Sequence, residues 1–281
     1  AATLGNGWFC YIRNNGTGDI TLDPSGSETI DGLSTFKMYP QEVRLIKSDG
    51  TNLTSTVLAG FYKVFTAAGT FTKPPGYTSL AGMLWSGGGG GSYATVQLGG
   101  GGGACHSFLV PSSVFSASCS VVIGAGGTGG AGGPFGDGAD GGNSSFDTKV
   151  YAYGGQGAGR DGQGGNGGGI SAADGEPTGL SVAYYSSNPG YGGSKTYTYG
   201  SAVGYAVFGG GHGAGQYYST GGPSVYGGGG GSRGTGSGGA SIFGGSGGGP
   251  NTTGSIPGGG GGGGGSPGNG ARGELRIRGV V

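Results

Sequence analysis

Glycine is concentrated in the last two thirds of this chain. The sequence has 83 glycines among 281 residues, and only 11 of them precede Ser86. A segment with so few side chains cannot bury an ordinary apolar core. Glycine-rich segments without a period are usually flexible. The short apolar and aromatic runs that separate the glycine tracts, such as Val121-Val122-Ile123, are not typical of a flexible linker.

The glycine tracts have a period of three residues. Residues other than glycine occupy every third position of one tract: Ala125, Thr128, Ala131, Pro134, Asp137, Asp140 and Asn143. A polyproline-II-type helix has three residues per turn and no internal hydrogen bonds, so its buried N–H and C=O groups must bond to neighbouring helices. We therefore predict a stack of polyglycine-II rods. About eight glycine segments are visible, beginning near Gly87, Gly99, Gly124, Gly154, Gly209, Gly227, Gly244 and Gly258.

Energetics require many rods rather than one. Ordering each residue costs about 1–2 kcal/mol of backbone entropy, and glycine is the most expensive case. Each hydrogen bond returns about 0.5–1.5 kcal/mol net, so only a laterally bonded stack offsets the cost. Collagen, the rival structure with this period, needs an unbroken Gly-X-Y run and proline near 15–20%. The 12 prolines and the repeated interruptions of this sequence argue against collagen.

The first 60 residues are typical of ordinary β structure. Apolar runs such as Trp8-Phe9-Cys10-Tyr11-Ile12 and Val43-Arg44-Leu45-Ile46 are separated by turn signals, for example Asp23-Pro24-Ser25-Gly26. We predict a small β attachment module at residues 1–60 and a glycine-rich domain at residues 61–281. About 60 residues form a marginal core, so we expect the module to rest on the next domain or on a partner.

Two strand arrangements are expected in the second domain. Val64-Phe65-Thr66 and Thr70-Phe71-Thr72 flank Ala67-Ala68-Gly69, which predicts a hairpin. Glu274-Leu275-Arg276-Ile277-Arg278 alternates polar and apolar residues, as a half-buried strand does, and should pair with the opening strands. The predicted fold class is mainly β plus polyglycine-II, with a small N-terminal β module, flanking strands and almost no α-helix.

The charge, the length of the apolar runs and the glycine spacing each argue against a class of function. The chain has 13 Lys and Arg against 13 Asp and Glu, without a basic stripe that would indicate nucleic-acid binding. Its apolar runs are a few residues long, far below the roughly 20 residues of a membrane-spanning helix. The glycine runs also lack the GxxxxGK[ST] pattern of phosphate-binding loops.

Few side chains in the sequence are of the types that catalyse reactions, form disulfides or bind metals. The three cysteines, Cys10, Cys105 and Cys119, include no CxxC pair; a Cys105–Cys119 disulfide is conceivable, but free buried thiols are favoured. The three acidic residues Asp137, Asp140 and Asp147 do not have the spacing of a calcium repeat. We expect His212 at a surface third position and His106 in a structural role. The sequence therefore predicts no catalysis, no metal and no cofactor.

Parts of the second domain resemble the glycine-rich domain of bacteriophage tail proteins. The opening of that domain is similar to Val64-Phe65-Thr66, Phe71-Thr72-Lys73-Pro74 and Trp85-Ser86-Gly87-Gly88-Gly89. Its internal hairpin and first glycine helix are similar to Phe108-Leu109-Val110-Pro111 and Val121-Val122-Ile123-Gly124-Ala125-Gly126-Gly127. Its closing strand is similar to Gly270-Ala271-Arg272-Gly273-Glu274-Leu275-Arg276-Ile277, and residues 1–60 resemble a β module of phage tail-fibre proteins.

This resemblance implies a function at the surface of a phage. In the tip adhesins of the long tail fibres of T-even-like phages, a polyglycine-II sandwich carries variable loops that contact the host receptor. Those adhesins have a larger and different attachment domain. The resemblance implies a location at the distal end of a tail fibre and, as partners, a receptor of the host surface (a membrane protein or a glycan) and other tail proteins. A monomer on a trimeric fibre and a homotrimer both fit.

Tyrosine-rich segments are the candidate receptor-binding surface. Residues 184–226 contain nine of the 16 tyrosines, among Ser, Gly, Thr and Asn, which is the composition of antibody contact loops. The candidate residues are Tyr184, Tyr185, Tyr191, Tyr197, Tyr199, Tyr217, Tyr218 and Tyr226. For any one of these rings, packing over the glycine rods is an equally good interpretation. The stretch from Ser181 to Tyr199 is too long for a tight turn, so we expect a protruding loop.

Three alternatives to an adhesin stay open. The first is a structural capping or spacer subunit of the tail that does not contact the receptor. The second is an ice-binding protein, although such proteins need a flat Thr/Ala face. The third is an enzyme that cleaves glycans, although the sequence offers no assembled catalytic constellation.

Overall fold

The computed structural model describes residues 1–94, 97–131, 135–159, 164–169, 206–215 and 220–281. These residues form β-strands and extended glycine rods, with one short 3₁₀ turn at Ser112–Val114 and no α-helix. The predicted fold class is therefore confirmed.

The N-terminal module is built from five strands: β1 (Phe9–Arg13), β2 (Ile20–Leu22), β3 (Phe36–Met38), β4 (Val43–Ser48) and β5 (Leu53–Ala59). β1, β4 and β5 form an antiparallel sheet in the order β1-β4-β5, and β2 pairs with β3. Alternate residues of these strands face a small core of Ile30, Phe36, Met38 and Ile46. This alternation is the period of two that a half-buried strand requires.

A buried polar network joins the module to the second domain. The Tyr39 hydroxyl donates to the Thr72 carbonyl and accepts from the Thr72 N–H, both at 2.9 Å. Arg44 is fully buried; its Nε donates to the Glu42 carboxylate at 2.7 Å, and one of its terminal nitrogens donates to the Pro75 carbonyl at 2.8 Å. The charges of Arg44 and Glu42 are paired and hydrogen-bonded, and this pairing offsets the cost of burying them away from water at the junction.

Two four-stranded antiparallel sheets follow. Their strands, with one separate two-stranded pair, are β6 (Tyr62–Phe65), β7 (Gly69–Thr72), β8 (Ser79–Trp85), β9 (Tyr93–Ala94), β10 (Cys105–Pro111), β11 (Ser118–Val122), β12 (Phe135–Gly136), β13 (Ser144–Phe146), β14 (Val150–Ala152) and β15 (Glu274–Val280). The strand orders are β10-β8-β15-β6 and β14-β13-β11-β7, and β9 pairs with β12. An aromatic core includes Phe71, Phe108, Phe115 and Phe146.

The strand predictions had mixed outcomes. β15 lies between β6 and β8, so the last strand pairs with the opening strands as expected. The hairpin predicted around residues 64–72 is wrong, because β6 belongs to one sheet and β7 to the other. The internal hairpin implied by the resemblance is also wrong: β10 pairs with β8, and β11 pairs with β7 and β13. In both cases a short connection carries the chain from one sheet to the other.

The glycine tracts form rods that bond to one another through their main chains. In the rod 86–92, successive N–H groups point to three different neighbours and return to the first after three residues. The donors and acceptors pair as Gly87 with Gly142, Gly90 with Ala139, Gly88 with Ala271, Gly91 with Gly268, Gly89 with Gly101 and Ser92 with Leu98, at 2.8–3.0 Å. This threefold pattern is that of a polyglycine-II helix.

The rod 98–104 lies in the middle of the stack. It donates to three rods and accepts from three others, so it has six neighbours. They are the rods at 86–92, 153–158, 164–169, 209–214, 227–232 and 257–264. Each N–H group from Gly99 to Ala104 has a main-chain carbonyl partner, and the Leu98 N–H donates to the Ser92 hydroxyl at 3.1 Å. The glycines of this rod are therefore satisfied by main chain alone.

The stack contains more rods than the sequence predicted. Return rods at 137–142, 164–169, 220–222, 252–255 and 267–272 bond laterally in the same way. The tract from Ala125 to Asn143 has one continuous period in the sequence but forms two rods, 124–130 and 137–142, of opposite direction. Polar side chains such as Asp140 and Asn269 lie at outward positions of the return rods. Successive rods alternate in direction, which places the connections at the two ends of the stack.

Replacing a rod glycine by alanine should destabilise the fold. A methyl group at Gly101 would overlap the carbonyl oxygen of Asn166 in the next rod, whereas one at Gly265 would meet no atom within 4 Å. We expect Gly101→Ala to cost about 3 kcal/mol or more, which for a chain of this size lowers Tm by roughly 6–12 °C. Thermal unfolding measures the effect, with Gly265→Ala as the matched control. Equal Tm values for the two variants would contradict the close packing of the rods.

Candidate functional site

The two ends of the rod stack differ. At the strand-side end, rods continue from strands: β8 leads into the rod 86–92, and the rod 98–104 leads into β10. At the opposite end, here called the far end, the chain turns from one rod to the next. The N-terminal module contacts the sheets through Thr72 and Pro75, which lie away from the rods. The module, the sheets, the rods and the far end therefore follow one another along one axis.

Most of the predicted receptor-binding tyrosines lie outside the described residues. These are Tyr184, Tyr185, Tyr191, Tyr197, Tyr199, Tyr217 and Tyr218. Two of the described residues that flank them, Gly169 and Ala206, lie at the strand-side end, where Gly169 accepts from the Tyr153 N–H at 3.1 Å. The other two, Gly215 and Thr220, lie at the far end. The predicted loop between Ser181 and Tyr199 also falls outside the described residues.

Tyr226, the remaining predicted tyrosine, lies at the strand-side end in a stack of three aromatic rings. Its ring is 4.7 Å from that of Phe208 and 4.8 Å from that of Phe243, with interplanar angles of 10° and 9°. Its carbonyl oxygen accepts a hydrogen bond from the Trp85 indole N–H at 2.6 Å. The geometry of Tyr226 is therefore that of a packing residue, and only part of its surface is accessible.

A sequence repeat underlies this stack, and the sequence analysis missed it. A small residue, a β-branched residue, an aromatic residue and two glycines recur every 17 or 18 residues. The copies are Ala206-Val207-Phe208-Gly209-Gly210, Ser224-Val225-Tyr226-Gly227-Gly228 and Ser241-Ile242-Phe243-Gly244-Gly245. Parallel bridges link the first residue of each copy to the next. The repeat places equivalent rings side by side where each rod begins.

The hydroxyls of this repeat fix the register of the rods. Ser224 Oγ donates to the Gly209 carbonyl at 2.7 Å, and Ser241 Oγ donates to the Gly227 carbonyl at 2.6 Å. The β-branched residues of the repeat face outward, and Ile242 is exposed. The strand-side end thus presents a short apolar row next to Gly169 and Ala206.

His212 is buried, which contradicts the predicted surface position. Its side chain is 6% exposed and packs over Gly222 of the adjacent rod, where a glycine leaves room for the imidazole ring. Nδ1 donates to the Gly213 carbonyl at 3.1 Å, and Nε2 has no hydrogen-bond partner among the described residues. Burial lowers the pKa of His212. The neutral form is therefore the one that the rods accommodate.

The other candidate chemical groups are held in structural roles. Cys105 and Cys119 are free and buried, and burial raises the pKa of both thiols, that of Cys119 to about 12. A high pKa disfavours the reactive thiolate at neutral pH. His106 Nδ1 bonds to the Tyr151 carbonyl at 2.8 Å, linking β10 to β14.

Neither grouped metal ligands nor membrane-spanning helices occur among the described residues. Over the part of the chain that the structure describes, no three His, Cys, Asp or Glu side chains are grouped as a metal site would need. Of the acidic residues considered above, Asp140 accepts from the Gly157 N–H and Asp147 accepts from the Ser116 N–H, both at 2.7 Å. Within the same described residues, no helix is long and apolar enough to cross a membrane.

The fold defines a polyglycine-II sandwich capped by antiparallel sheets. In agreement with this class, residues 66–279 match the model of a protein family described as a glycine-rich domain. This match covers most of the chain, so the protein belongs to the glycine-rich domain family. Comparison with curated proteins finds no match.

The ring of Tyr226 should contribute to stability through stacking. We expect Tyr226→Ala to cost about 2–4 kcal/mol, because it removes a partly buried ring and two stacked faces. Tyr226→Phe should change stability little, since the ring is kept. Urea unfolding of both variants measures this, and Tyr151→Ala on β14 serves as a control outside the stack. Equal stability of the Ala and Phe variants would show that the stack does not stabilise the protein.

Acid should destabilise the rods through His212. Because the folded-state pKa is lowered, the unfolded chain binds this proton more readily, and stability falls as pH drops below the unfolded pKa of about 6.5. The loss continues down to the folded pKa, at up to about 1.4 kcal/mol per pH unit. Urea unfolding between pH 7.5 and 5 measures this slope. His212→Gln should reduce it and His106→Gln should keep it; an unchanged slope in His212→Gln would contradict the assignment.

Proposed function

We propose that this protein is the receptor-binding adhesin at the tip of a bacteriophage tail fibre. The proposal rests on the resemblance of its glycine-rich segments to those of phage tail proteins and on the architecture of the stack. The chain would occupy the distal end of the fibre in the virion. Its receptor would be a membrane protein or a glycan of the host surface.

The main support for this proposal is that the laterally bonded rods form a rigid scaffold, while the connections between rods lie at its ends. The rod 98–104 is bonded to six neighbours, so it holds its shape without using side chains. The connections between rods are therefore available for contacts at both ends of the stack: the segment that contains Tyr184 to Tyr199 joins Gly169 to Ala206 at the strand-side end, and the segment that contains Tyr217 and Tyr218 joins Gly215 to Thr220 at the far end. The described connections of the far end expose polar residues: Thr235, Ser237, Asn251, Thr252, Thr253 and Ser266. Ser, Asn and Tyr are the residues that form adaptable contact surfaces.

Attachment to the particle would use the opposite end. The N-terminal module lies farthest from the far end along the axis of the molecule. The outer face of its sheet exposes Phe9 and Tyr11, which are 58% and 67% accessible. Exposed aromatic residues grouped on one face suit a contact with another protein. We propose that residues 1–60 bind the other tail-fibre proteins, either as a monomer on a trimeric fibre or as part of a homotrimer.

The alternative is a structural capping or spacer subunit of the tail. The extensive lateral bonding of the rods serves such a role equally well, because a cap needs rigidity and no receptor contact. The two functions differ in what happens when the tyrosine-rich segments are changed. An adhesin loses host binding and keeps assembly, whereas a structural subunit keeps host binding.

Shortening the predicted loop should abolish host binding. We expect replacement of residues 181–199 by a short Gly-Ser linker, or the pair Tyr217→Ser and Tyr218→Ser, to lower adsorption of assembled particles at least tenfold. Adsorption to host cells measures this, together with binding of the purified chain. Tyr151→Ser, an accessible tyrosine on β14, is the matched control. Unchanged adsorption would refute the adhesin, and loss of assembled particles would favour the structural subunit.

A further inference from the structure

A polar groove lies where the N-terminal module meets the first strand of the second domain. Its volume is about 770 Å³, within the range of about 300–1,000 Å³ that small-molecule sites occupy. Three separate stretches of chain line it: the loop after β1, the turn before β4 and the start of β6. The side chains that matter are Arg13, Asn15, Thr17, Gln41, Tyr62 and Lys63.

The loop after β1 is fixed from within by Asn14. This side chain is only 2% exposed, and its Nδ2 donates to the Gly18 carbonyl at 2.8 Å and to the Met38 carbonyl at 3.2 Å. Its Oδ1 accepts from the Gly16 N–H at 3.1 Å. The wall of the groove is therefore formed before any ligand arrives, which lowers the entropy cost of binding.

Gln41 takes an unusual backbone conformation beside the groove. Its φ is 70°, in the left-handed region, where glycine and asparagine are the ordinary residues. Its N–H donates to the Asn14 carbonyl at 2.9 Å, and its side-chain amide is exposed. A strained residue whose amide lines a cleft is an indication of function.

Among the described residues, one of the two cations that line the groove has no ion-pair partner. Lys63 pairs with Asp19 at 2.5 Å, whereas no carboxylate among the described residues pairs with the Arg13 guanidinium. A guanidinium binds a carboxylate through two parallel N–H···O bonds. Tyr62, whose side chain is 40% accessible, supplies an aromatic face against which the C–H groups of a sugar ring can pack.

Part of the main chain around the groove is already hydrogen-bonded. The N–H groups of Asn14, Gln41 and Tyr62 donate to carbonyls within the protein. An extended peptide binds through a row of free main-chain groups along an edge, and on the free edge of β6 the Tyr62 N–H is already bonded to the Pro40 carbonyl at 3.1 Å. Amides, a hydroxyl, one guanidinium and one aromatic ring are instead the groups that recognise sugar hydroxyls and a sugar carboxylate.

We propose that this groove binds a carboxylated oligosaccharide, with Arg13 on the carboxylate, Gln41 and Asn15 on ring hydroxyls and Tyr62 against a ring face. The described residues that line the groove include none of the predicted receptor-binding tyrosines, and the proposal does not depend on whether those tyrosines bind a receptor.

Calorimetry on the full chain tests this with defined probes. The probes are trimers of α-1,4-galacturonate, α-2,8-sialic acid and β-1,4-glucuronate, with α-1,4-galactotriose as the neutral counterpart of the first. We expect at least one acidic trimer to bind, and galactotriose to bind at least tenfold more weakly than trigalacturonate if the latter is the one bound. Arg13→Gln should lower the affinity for the acidic trimer at least tenfold, while Lys47→Gln, an exposed cation on β4 outside the groove, should not change it.

Tyr62→Ala should also lower the affinity for the acidic trimer. The unfolding temperature of this variant reports whether it is folded. Failure of all three acidic trimers to bind at millimolar concentration would overturn the proposal. Unchanged affinity in Arg13→Gln would also overturn it, as would tighter binding of an acidic peptide such as tetraglutamate. None of these measurements uses phage adsorption, so the proposal can fail while the adhesin stands.

Discussion

Lateral hydrogen bonds between glycine main chains are the interaction on which the rest of this structure depends. Each rod offers N–H and C=O groups in three directions, and those groups find partners only if neighbouring backbones come close. A methyl group at most of these positions would overlap a carbonyl of the next rod. The same constraint excludes a side-chain core among the rods, so the described aromatic residues of the second domain lie in and around the sheets or where rods begin.

Rigidity and recognition are therefore divided between different parts of the chain. The rods use almost no side chains, and the sheets below them bury the large ones, including Trp85 and Phe146. Polar residues lie in the connections, at outward positions of several rods such as Asp140 and Asn269, and at the joint with the N-terminal module. The junction of Arg44 and Glu42 makes the module continuous with the sheets, so that the groove beside Arg13 has a fixed shape.

The rods could be predicted from the sequence because a helix with three residues per turn, bonded to neighbours in three directions, requires glycine with a period of three. Sequence reasoning did not separate the return rods, because the triplet from Ala125 to Asn143 continues across two rods of opposite direction. It placed His212 at the surface because the triplet does not say whether a third position faces solvent or another rod. The hairpin at residues 64–72 failed because two adjacent strands can belong to facing sheets. The groove beside Arg13 could not be predicted from the sequence, because three stretches that are separated along the chain form it.

The threefold arrangement of donors also limits how such a chain can change length. Inserting one residue within a rod would turn every later N–H by a third of a turn and direct it to the wrong neighbour. Inserting three residues would keep all directions and only shift the rod by about 9 Å along its axis. Length variation among descendants of this sequence should therefore fall in the turns, or within rods in whole triplets.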